Sequence, residues 1–297
     1  MKKKIKYVSK MFMYKEFNYR HCNIIINFLE NIYEIKFTDN IDEADIVIHG
    51  VWSKNINKVT LPKKFNILWG YESININFNR YNLVFSGTTL DKPNIINIPL
   101  FYYYGFNCVN SFKLNINKTY NKTDFCCFLV SNENGYDIFS ETEFKGCQLR
   151  NNFFKKLNSI KKVNSGGKVF NNINEIVPKS KTKEFISKHK FMICFENSDL
   201  DGYITEKIFQ AFENNTIPIY WGNKNNYRFL NENAFIKYST CEETIKKVLD
   251  IDSNDILYNK MLNNNILSDE KFVLKNYLDS YIPKFNSIIK SYFKNNL

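Results

Sequence analysis

No apolar run in this 297-residue chain approaches the ~18 residues that a membrane-spanning helix requires. The N-terminus, MKKKIKYVSKMFMYKEF, starts with basic residues but lacks the apolar core of a secretory signal, because Lys15 and Glu16 interrupt it. Histidine is scarce, and His21, His49 and His189 lie far apart and form no metal-ligand pattern. We therefore expect a soluble, cytoplasmic protein.

The seven cysteines are odd in number and include no CxxC pair. Such cysteines favour a reducing compartment and buried thiols. Under that interpretation the glycosylation sequons at Asn117 and Asn121 carry little weight.

Composition excludes a disordered chain, since 44% of the residues are hydrophobic and 16% are aromatic. The formal charge is +11, from 41 lysines and arginines against 30 aspartates and glutamates. Most of the excess is lysine spread among asparagines, which is typical of a solvated basic surface. A phosphate-bearing ligand, an anionic membrane face or a nucleic acid are the alternatives, and charge alone does not choose among them.

Strand-like and helix-like segments alternate over residues 1–105, which predicts a Rossmann-like first domain. Residues 106–123 are polar and are interpreted as a linker. A second α/β domain is expected over residues 124–268. The sequence of residues 269–297 is typical of a basic amphipathic helix, and we expect this helix to pack back on the first domain. The alternative is peripheral contact of this helix with an anionic membrane. The expected strands are 4–8, 34–38, 44–49, 65–69, 83–86 and 124–132, and the expected helices are 19–31, 149–159 and 241–250.

The segment FMICFENSDLDGYITEKIFQAFENNTIPIYWG, residues 191–222, predicts a strand, a polar loop, a helix and a second strand. In α/β folds ligands bind at the carboxyl ends of strands, and a helix N-terminus attracts phosphate. Glu206 and Lys207 lie in the first turn of the predicted helix, and Glu196 is interpreted as a bridge from the loop to the helix. The segment therefore predicts a nucleotide-phosphate site.

This segment resembles the donor-binding signature of the bacterial-type α-1,3/α-1,4-fucosyltransferases of glycosyltransferase family 10. In that signature FEN-S/T, a tyrosine, TEK and a P-I/V-Y/V run recur in this order. FLVSN and the arginine of LRNNFFKKLNSIKKVNSGG extend the likeness upstream, so the motifs cover about residues 124–222. In the N-terminal third only ILWGYES and IPLFYYY are similar. The resemblance implies a GT-B fold with two Rossmann-like domains facing a central cleft, GDP-fucose as donor, and inversion at the fucose anomeric carbon. It also implies that the first domain, residues 1–105, binds the acceptor and that the second, residues 124–268, binds GDP-fucose.

The resemblance also implies roles for individual residues. Arg150 and Lys207 match the phosphate-binding pair, whereas without the resemblance both could be surface charges on helices. Asn197 and Tyr203 would contact the nucleotide sugar, although Tyr203 could equally be a packed aromatic. Glu206 would face the donor near the ribose or the sugar, and it also suits a helix start.

Two further elements of the site are expected. Ser165 and Gly166, in the SGG turn, are candidates for phosphate contact through backbone N–H groups, although such a sequence is often only a turn. Inversion needs a general base, and Glu72 in WGYES matches the glutamate of the family. Asp91 is the second choice, and for Glu72 the alternative is a solvated loop carboxylate.

No cofactor and no metal are expected to be required, because Arg150 and Lys207 supply the charge for the leaving group. Asp199 and Asp201 form a DxD pattern, but a pattern of three residues is weak evidence for a metal site. A divalent cation is expected to stimulate transfer at most. The predicted partners are GDP-fucose and an oligosaccharide with an N-acetylglucosamine- or glucose-type residue, in α-1,3 or α-1,4 linkage.

The residues alone leave three alternative functions open. The first is the same scaffold with a different nucleotide sugar. The second is a polyanion- or RNA-binding protein, against which the sequence shows no RNP-like motif and no arginine stripe, so no nucleic-acid partner is expected. The third is an inactive relative that acts as a lectin, against which the presence of the candidate catalytic residues argues.

Overall fold

The computed structural model describes residues 3–11, 23–50, 61–70, 77–112, 122–134 and 145–295. The chain divides into two compact units. The first comprises residues 1–103 together with 275–297, and the second comprises residues 104–274.

The first unit contains a six-stranded parallel sheet in the order β2-β1-β3-β4-β5-β6. The central strands β3 and β4 are buried along their whole length, as expected for a parallel sheet covered on both faces. Its elements are β1 (Ile5–Met11), α1 (Asn23–Glu30), β2 (Glu34–Phe37), β3 (Ile46–Gly50), β4 (Phe65–Gly70), β5 (Leu83–Ser86) and β6 (Ile95–Asn97).

The C-terminal residues 275–297 belong to this first unit. They include most of α7 (Leu274–Asp279) and all of α8 (Ile282–Asn295). Phe285 of α8 is fully buried, with its ring centroid 5.0 Å from that of Phe28 and 6.3 Å from that of Phe85. The apolar face of α8 is therefore part of the core beneath the first sheet.

The second unit contains a five-stranded parallel sheet in the order β11-β10-β9-β7-β8. Strands β9 and β10 are almost entirely buried and are joined through α4. The elements are β7 (Asp124–Phe128), α2 (Lys145–Ile160), β8 (Val163–Ser165), α3 (Thr182–Ser187), β9 (His189–Phe195), α4 (Glu206–Glu213), β10 (Ile217–Trp221), β11 (Ile236–Lys237), α5 (Cys241–Asp252) and α6 (Asp255–Leu262).

The strands β6, β8 and β11 and the helices α3 and α6 were not among the sequence expectations. The three strands have only two or three residues each, too few to show an alternating pattern. The helix expected at 149–159 begins earlier, at Lys145, and the long tail is divided into α7 and α8.

The described start of the expected linker, residues 106–112, lies in the second unit. A 3₁₀ turn over Asn107–Val109 is held by Glu213, whose carboxylate accepts from the Cys108 N–H at 2.6 Å and from the Asn107 amide at 3.2 Å. Residues 113–121 lie outside the described ranges.

Among the described residues, no helix is both long and apolar enough to span a bilayer.

Candidate active site

The candidate donor-binding residues Arg150, Asn197 and Lys207 lie in the second unit, near the ends of β7 and β9 and the starts of α2 and α4. Gly146, in the first turn of α2, approaches the loop after β9 closely, and its N–H donates to the Asn197 carbonyl at 3.1 Å. A Cβ at this position would collide with the Glu196 carbonyl oxygen. Glycine is therefore required for this close approach of the helix to the loop.

Arg150, one turn further along α2, is only 2% exposed. Its Nη2 donates to the carbonyls of Asn132 and Glu133 at 3.0 and 3.1 Å. Its Nη1 donates to Asn197 Oδ1 at 3.2 Å, and its Nε donates to Asn151 Oδ1 at 3.3 Å. These bonds fix the guanidinium plane between the loop after β7 and the loop after β9.

All four acceptors of Arg150 are neutral oxygens. None of the ion pairs within the described ranges includes this residue. Burial lowers the pKa of Arg150, but a guanidinium stays charged at any ordinary pH. A buried cation surrounded by neutral acceptors leaves a local positive potential, and this makes the site suitable for an anion.

The side chain of Asn197 has a defined orientation because Arg150 donates to its Oδ1. The Cys147 thiol also faces this oxygen, at 3.7 Å. The amide group can therefore present only its Nδ2 as a donor to a ligand. Asn197 is partly exposed, so a donor nitrogen at this place is accessible to a bound molecule.

Lys207, in the first turn of α4, is held by two neighbours. Its Nζ donates to Glu196 Oε2 at 3.1 Å and to the Thr205 hydroxyl at 2.7 Å. Glu196 also accepts from the Thr205 N–H at 2.8 Å and from the Thr205 hydroxyl at 2.6 Å. These contacts confirm the interpretation of Glu196 as a bridge between the loop and the helix.

Thr205 is the N-cap residue of α4, yet its side chain makes no capping hydrogen bond. Its hydroxyl instead connects the carboxylate of Glu196 with the ammonium of Lys207. The sequence pattern suggested an ordinary helix start, and only the folded structure shows that the hydroxyl belongs to this network.

The carboxylates beside Lys207 keep its side chain protonated. Burial acts to lower the pKa of Lys207, but the carboxylates of Glu196 and Glu206 more than offset it, so the pKa lies above its ordinary value. The Lys207 side chain is 20% exposed, and Glu206 Oε1 lies 4.0 Å from its Nζ. A charged lysine side chain is therefore partly exposed beside the N-terminus of α4.

Three other predicted residues lie in packed surroundings. Tyr203 is only 3% exposed, which agrees with the alternative interpretation of a packed aromatic. Ser165 is fully buried and its hydroxyl donates to the Val169 carbonyl at 2.6 Å. The Gly166 N–H donates to the Phe128 carbonyl at 3.0 Å. These contacts account for the turn as a structural element, and the roles of all three residues in donor binding stay predictions.

The aspartates of the DxD pattern contact side chains further along the chain. Asp199 accepts from the Asn223 amide at 2.8 Å, and Asp201 forms a 2.6 Å ion pair with Arg228. No group of three or more metal-ligating side chains was found in the parts of the chain that the structure describes. Asp91 is exposed in the first unit, and Glu72 lies outside the described residues.

Sequence reasoning did not find three contributors to the site: the carbonyl groups of Asn132 and Glu133, and Gly146. A carbonyl group carries no side-chain signal, so the first two could not be recognised. For Gly146 the available signal was a glycine in the first turn of a helix, where it has no advantage for helix formation.

The fold and the arrangement of the site identify the class of protein. Two parallel α/β sheets, with loops and helix N-termini at the strand ends of the second, form the fold of GT-B glycosyltransferases. This is supported by a crystal structure of an α1,3-fucosyltransferase with GDP, which has a TM-score of 0.75 and 23% identity over 97% of this chain and 91% of that chain. A DNA-modifying β-glucosyltransferase, with a TM-score of 0.53 and 12% identity over 98% of this chain and 99% of that chain, shares the fold. The predicted GT-B fold class is thereby confirmed.

The family is shown by sequence. The profile "Glycosyltransferase family 10 (fucosyltransferase) C-term" matches residues 108–265, more than half of the chain. The chain therefore belongs to glycosyltransferase family 10, as the resemblance of its motifs indicated.

Among curated proteins, the α-(1,3)-fucosyltransferase FucT of Helicobacter pylori is 29% identical over 273 residues, which are 83% of this chain and 56% of that protein. The putative fucosyltransferase R654 of Acanthamoeba polyphaga mimivirus is 24% identical over 277 residues, which are 88% of this chain and 42% of that protein. The chain thus spans about half the length of the curated relatives it matches.

Proposed function

We propose that this chain transfers L-fucose from GDP-fucose to a hydroxyl group of an oligosaccharide, with inversion at the fucose anomeric carbon. The observation that carries the proposal is the buried Arg150 guanidinium, whose partners in the structure are neutral oxygens. A diphosphate supplies the missing negative charge. Family membership directs the choice of donor, and a neighbouring structure of an α1,3-fucosyltransferase was solved with GDP-fucose.

The two cations act on the leaving group. As the bond between the anomeric carbon and the diphosphate oxygen breaks, negative charge grows on the nucleotide. Arg150 and Lys207 are fixed before the reaction, so they stabilise this charge without reorganising. Arg150 donates to Asn197 and Lys207 donates to Glu196, so the two cations are anchored to adjacent residues of one loop. We infer that they share one diphosphate.

The neighbouring polar groups bind the rest of the donor. Asn197 presents its Nδ2 as a donor, and Glu206, whose side chain is 25% exposed, offers an acceptor beside Lys207. We assign these two groups to the hydroxyls of the ribose or the fucose.

Inversion needs a base that removes the proton of the acceptor hydroxyl. We propose Glu72 for this step. The acceptor oxygen bonds to the anomeric carbon, the bond to the diphosphate breaks, and the proton passes to the Glu72 carboxylate. The support is the match of WGYES to the family pattern at this position.

We further propose that no divalent metal is required, because Arg150 and Lys207 supply the charge that a metal would otherwise provide. Transfer should therefore continue in EDTA at a rate close to that of untreated protein. Loss of all transfer in EDTA, with recovery on addition of manganese, would contradict this.

The direct test is incubation with GDP-fucose and N-acetyllactosamine-type acceptors, followed by mass spectrometry and NMR of the product. We expect one added fucose in α-1,3 or α-1,4 linkage on an N-acetylglucosamine- or glucose-type residue. A parallel panel of other nucleotide sugars, with released nucleotide as the readout, tests the choice of donor. Transfer from UDP-glucose but not from GDP-fucose would contradict the proposed donor and leave the class intact.

A further inference from the structure

We propose that Glu196 is a positioning residue for fucosyl transfer, which aims the Lys207 ammonium at the leaving diphosphate without touching the substrate. The inference rests on the proposed function and adds a residue to its mechanism. Glu196 follows β9 directly and is 0% exposed, so its carboxylate is not accessible to a ligand.

Glu196 is held as an ionised group. Three donors face its two oxygens: the Thr205 N–H, the Thr205 hydroxyl and the Lys207 ammonium. A neutral carboxylic acid would place its own hydrogen against one of these donors. Burial raises the pKa of Glu196 above its ordinary value, and the Lys207 ammonium and the Thr205 donors act in the opposite direction without cancelling this effect.

The geometry around Lys207 leaves one direction for a ligand. An ammonium has three N–H groups, and two of them are used by Glu196 Oε2 at 3.1 Å and the Thr205 hydroxyl at 2.7 Å. Two fixed N–H directions on a tetrahedral nitrogen determine the third. The side chain as a whole remains 20% exposed, and we assign this third N–H to the diphosphate.

Stability alone does not account for this arrangement. A buried ion pair contributes little net stability, because desolvation of both charges offsets their attraction. Helix capping does not account for the hydroxyl either, since the Thr205 side chain makes no capping bond to α4. The network does hold the charged Lys207 ammonium in a fixed position at the start of α4.

Glu196 also keeps the ammonium charged. Burial by itself lowers the pKa of Lys207, and Glu196 is the largest of the contributions that raise it. The other charged or titratable groups that face this pair are Glu206, Arg150, Cys194 and Tyr220, and burial raises the pKa of both Cys194 and Tyr220. Removal of the Glu196 charge should therefore move the loss of the Lys207 proton to lower pH.

The test is Glu196→Gln, which preserves the shape and removes the charge. We expect kcat for transfer from GDP-fucose to fall about 10-fold to 100-fold, with the KM for GDP-fucose within about threefold of wild type, because the charge matters most as the leaving group departs. The alkaline limb of the pH–kcat profile should move to lower pH. Wild-type kcat with an unchanged profile would overturn the proposal.

A matched control lies at the other end of the same helix. Glu213 also accepts a short bond from a backbone N–H, that of Cys108 at 2.6 Å. Glu213→Gln should lower the melting temperature without changing kcat or the pH profile. If it lowers kcat as much as Glu196→Gln does, then general loosening of α4 explains both effects and the positioning role is wrong.

A second pair of variants decides the question if Glu196→Gln does not fold. Thr205→Val removes the hydroxyl that joins Glu196 to Lys207, and Thr205→Ser keeps it. We expect kcat to fall in the valine variant and to be preserved in the serine variant, and equal kcat in both would overturn the proposal. Absence of fucose transfer by wild-type protein would contradict the proposed function as well, whereas normal transfer by Glu196→Gln would contradict only the role of Glu196.

Discussion

The two sheets bury polar groups in different ways. In the first unit, Asn66 Oδ1 accepts from His49 Nε2 at 2.9 Å and from the Leu61 N–H at 3.1 Å, while its Nδ2 donates to the Leu61 and Lys64 carbonyls. Every group in this network is neutral, and the amide of Asn66 is fully used. In the second unit, Arg150 is buried to the same degree but keeps its charge.

The difference separates a structural polar network from a candidate site. Complete pairing of neutral groups stabilises a fold and leaves nothing for a ligand. A buried guanidinium with neutral acceptors, in contrast, retains a charge that a bound anion can neutralise. Four predictions test this contrast, from the largest expected effect to the smallest.

The largest effect is expected at Arg150. Lysine keeps the charge but lacks the planar fork that donates to the Asn132 and Asn197 oxygens. Arg150→Lys should lower kcat/KM for GDP-fucose by about 10²-fold to 10³-fold, the scale of a lost charge-stabilising donor. Steady-state kinetics on folded protein measure this, and near-wild-type activity would show that Arg150 is only structural.

The second prediction distinguishes a loss of the chemical step from a loss of donor binding. Glu72→Gln should leave GDP binding nearly intact but lower turnover by about 10²-fold or more, as expected for loss of a general base. Calorimetric titration of GDP together with kcat measures the two effects. Full transfer activity in this variant would exclude Glu72 as the base.

The third prediction concerns the neutral network of the first unit. Asn66→Ala leaves the His49 Nε2–H and the Leu61 N–H without their acceptor. We expect a loss of about 2–3 kcal/mol in the free energy of unfolding, because buried groups lose their hydrogen bonds. Activity per folded molecule should not change, and denaturant unfolding with active-site titration checks both. A larger effect on kcat than on stability would remove the contrast between the two sheets.

The smallest effect is a dependence of stability on pH. Burial lowers the pKa of His49 and of His189, which are 2% and 1% exposed. The unfolded chain therefore binds protons near pH 6.5 that the folded chain does not. The contribution of these two histidines to stability is constant above about pH 7 and falls as the pH drops below 6.5. The slope should not exceed about 1.4 kcal/mol per pH unit for each histidine.

His189 allows a direct check of this slope. Its Nδ1 donates to the Phe185 carbonyl at 2.7 Å and its Nε2 accepts from Asn164 Nδ2 at 3.0 Å, which requires the neutral ring. His189→Gln should reduce the slope measured by denaturant unfolding between pH 7 and 5. An unchanged slope would show that His189 does not bind protons on unfolding in this range.

Much of the fold could be predicted from the sequence. The apolar runs of β3, β4, β9 and β10 are local signals of buried parallel strands, and the structure places strands there. The residues of the site were predicted through the order and spacing of the FEN and TEK motifs and of Arg150. The three-residue strands β6 and β8 could not be predicted, since pairing with a neighbour rather than local pattern defines them.

The sequence by itself determined the class of fold, the family and the set of candidate residues, because periodicity and motif spacing are properties of neighbouring residues. Only the tertiary structure decided their partners. Arg150 meets Asn197 across 47 positions of sequence, and Glu213 meets Cys108 across 105. The Thr205 hydroxyl joins a buried ion pair instead of capping its helix. Such contacts depend on which surfaces are brought together when apolar faces are buried, and that is decided by packing over the whole unit.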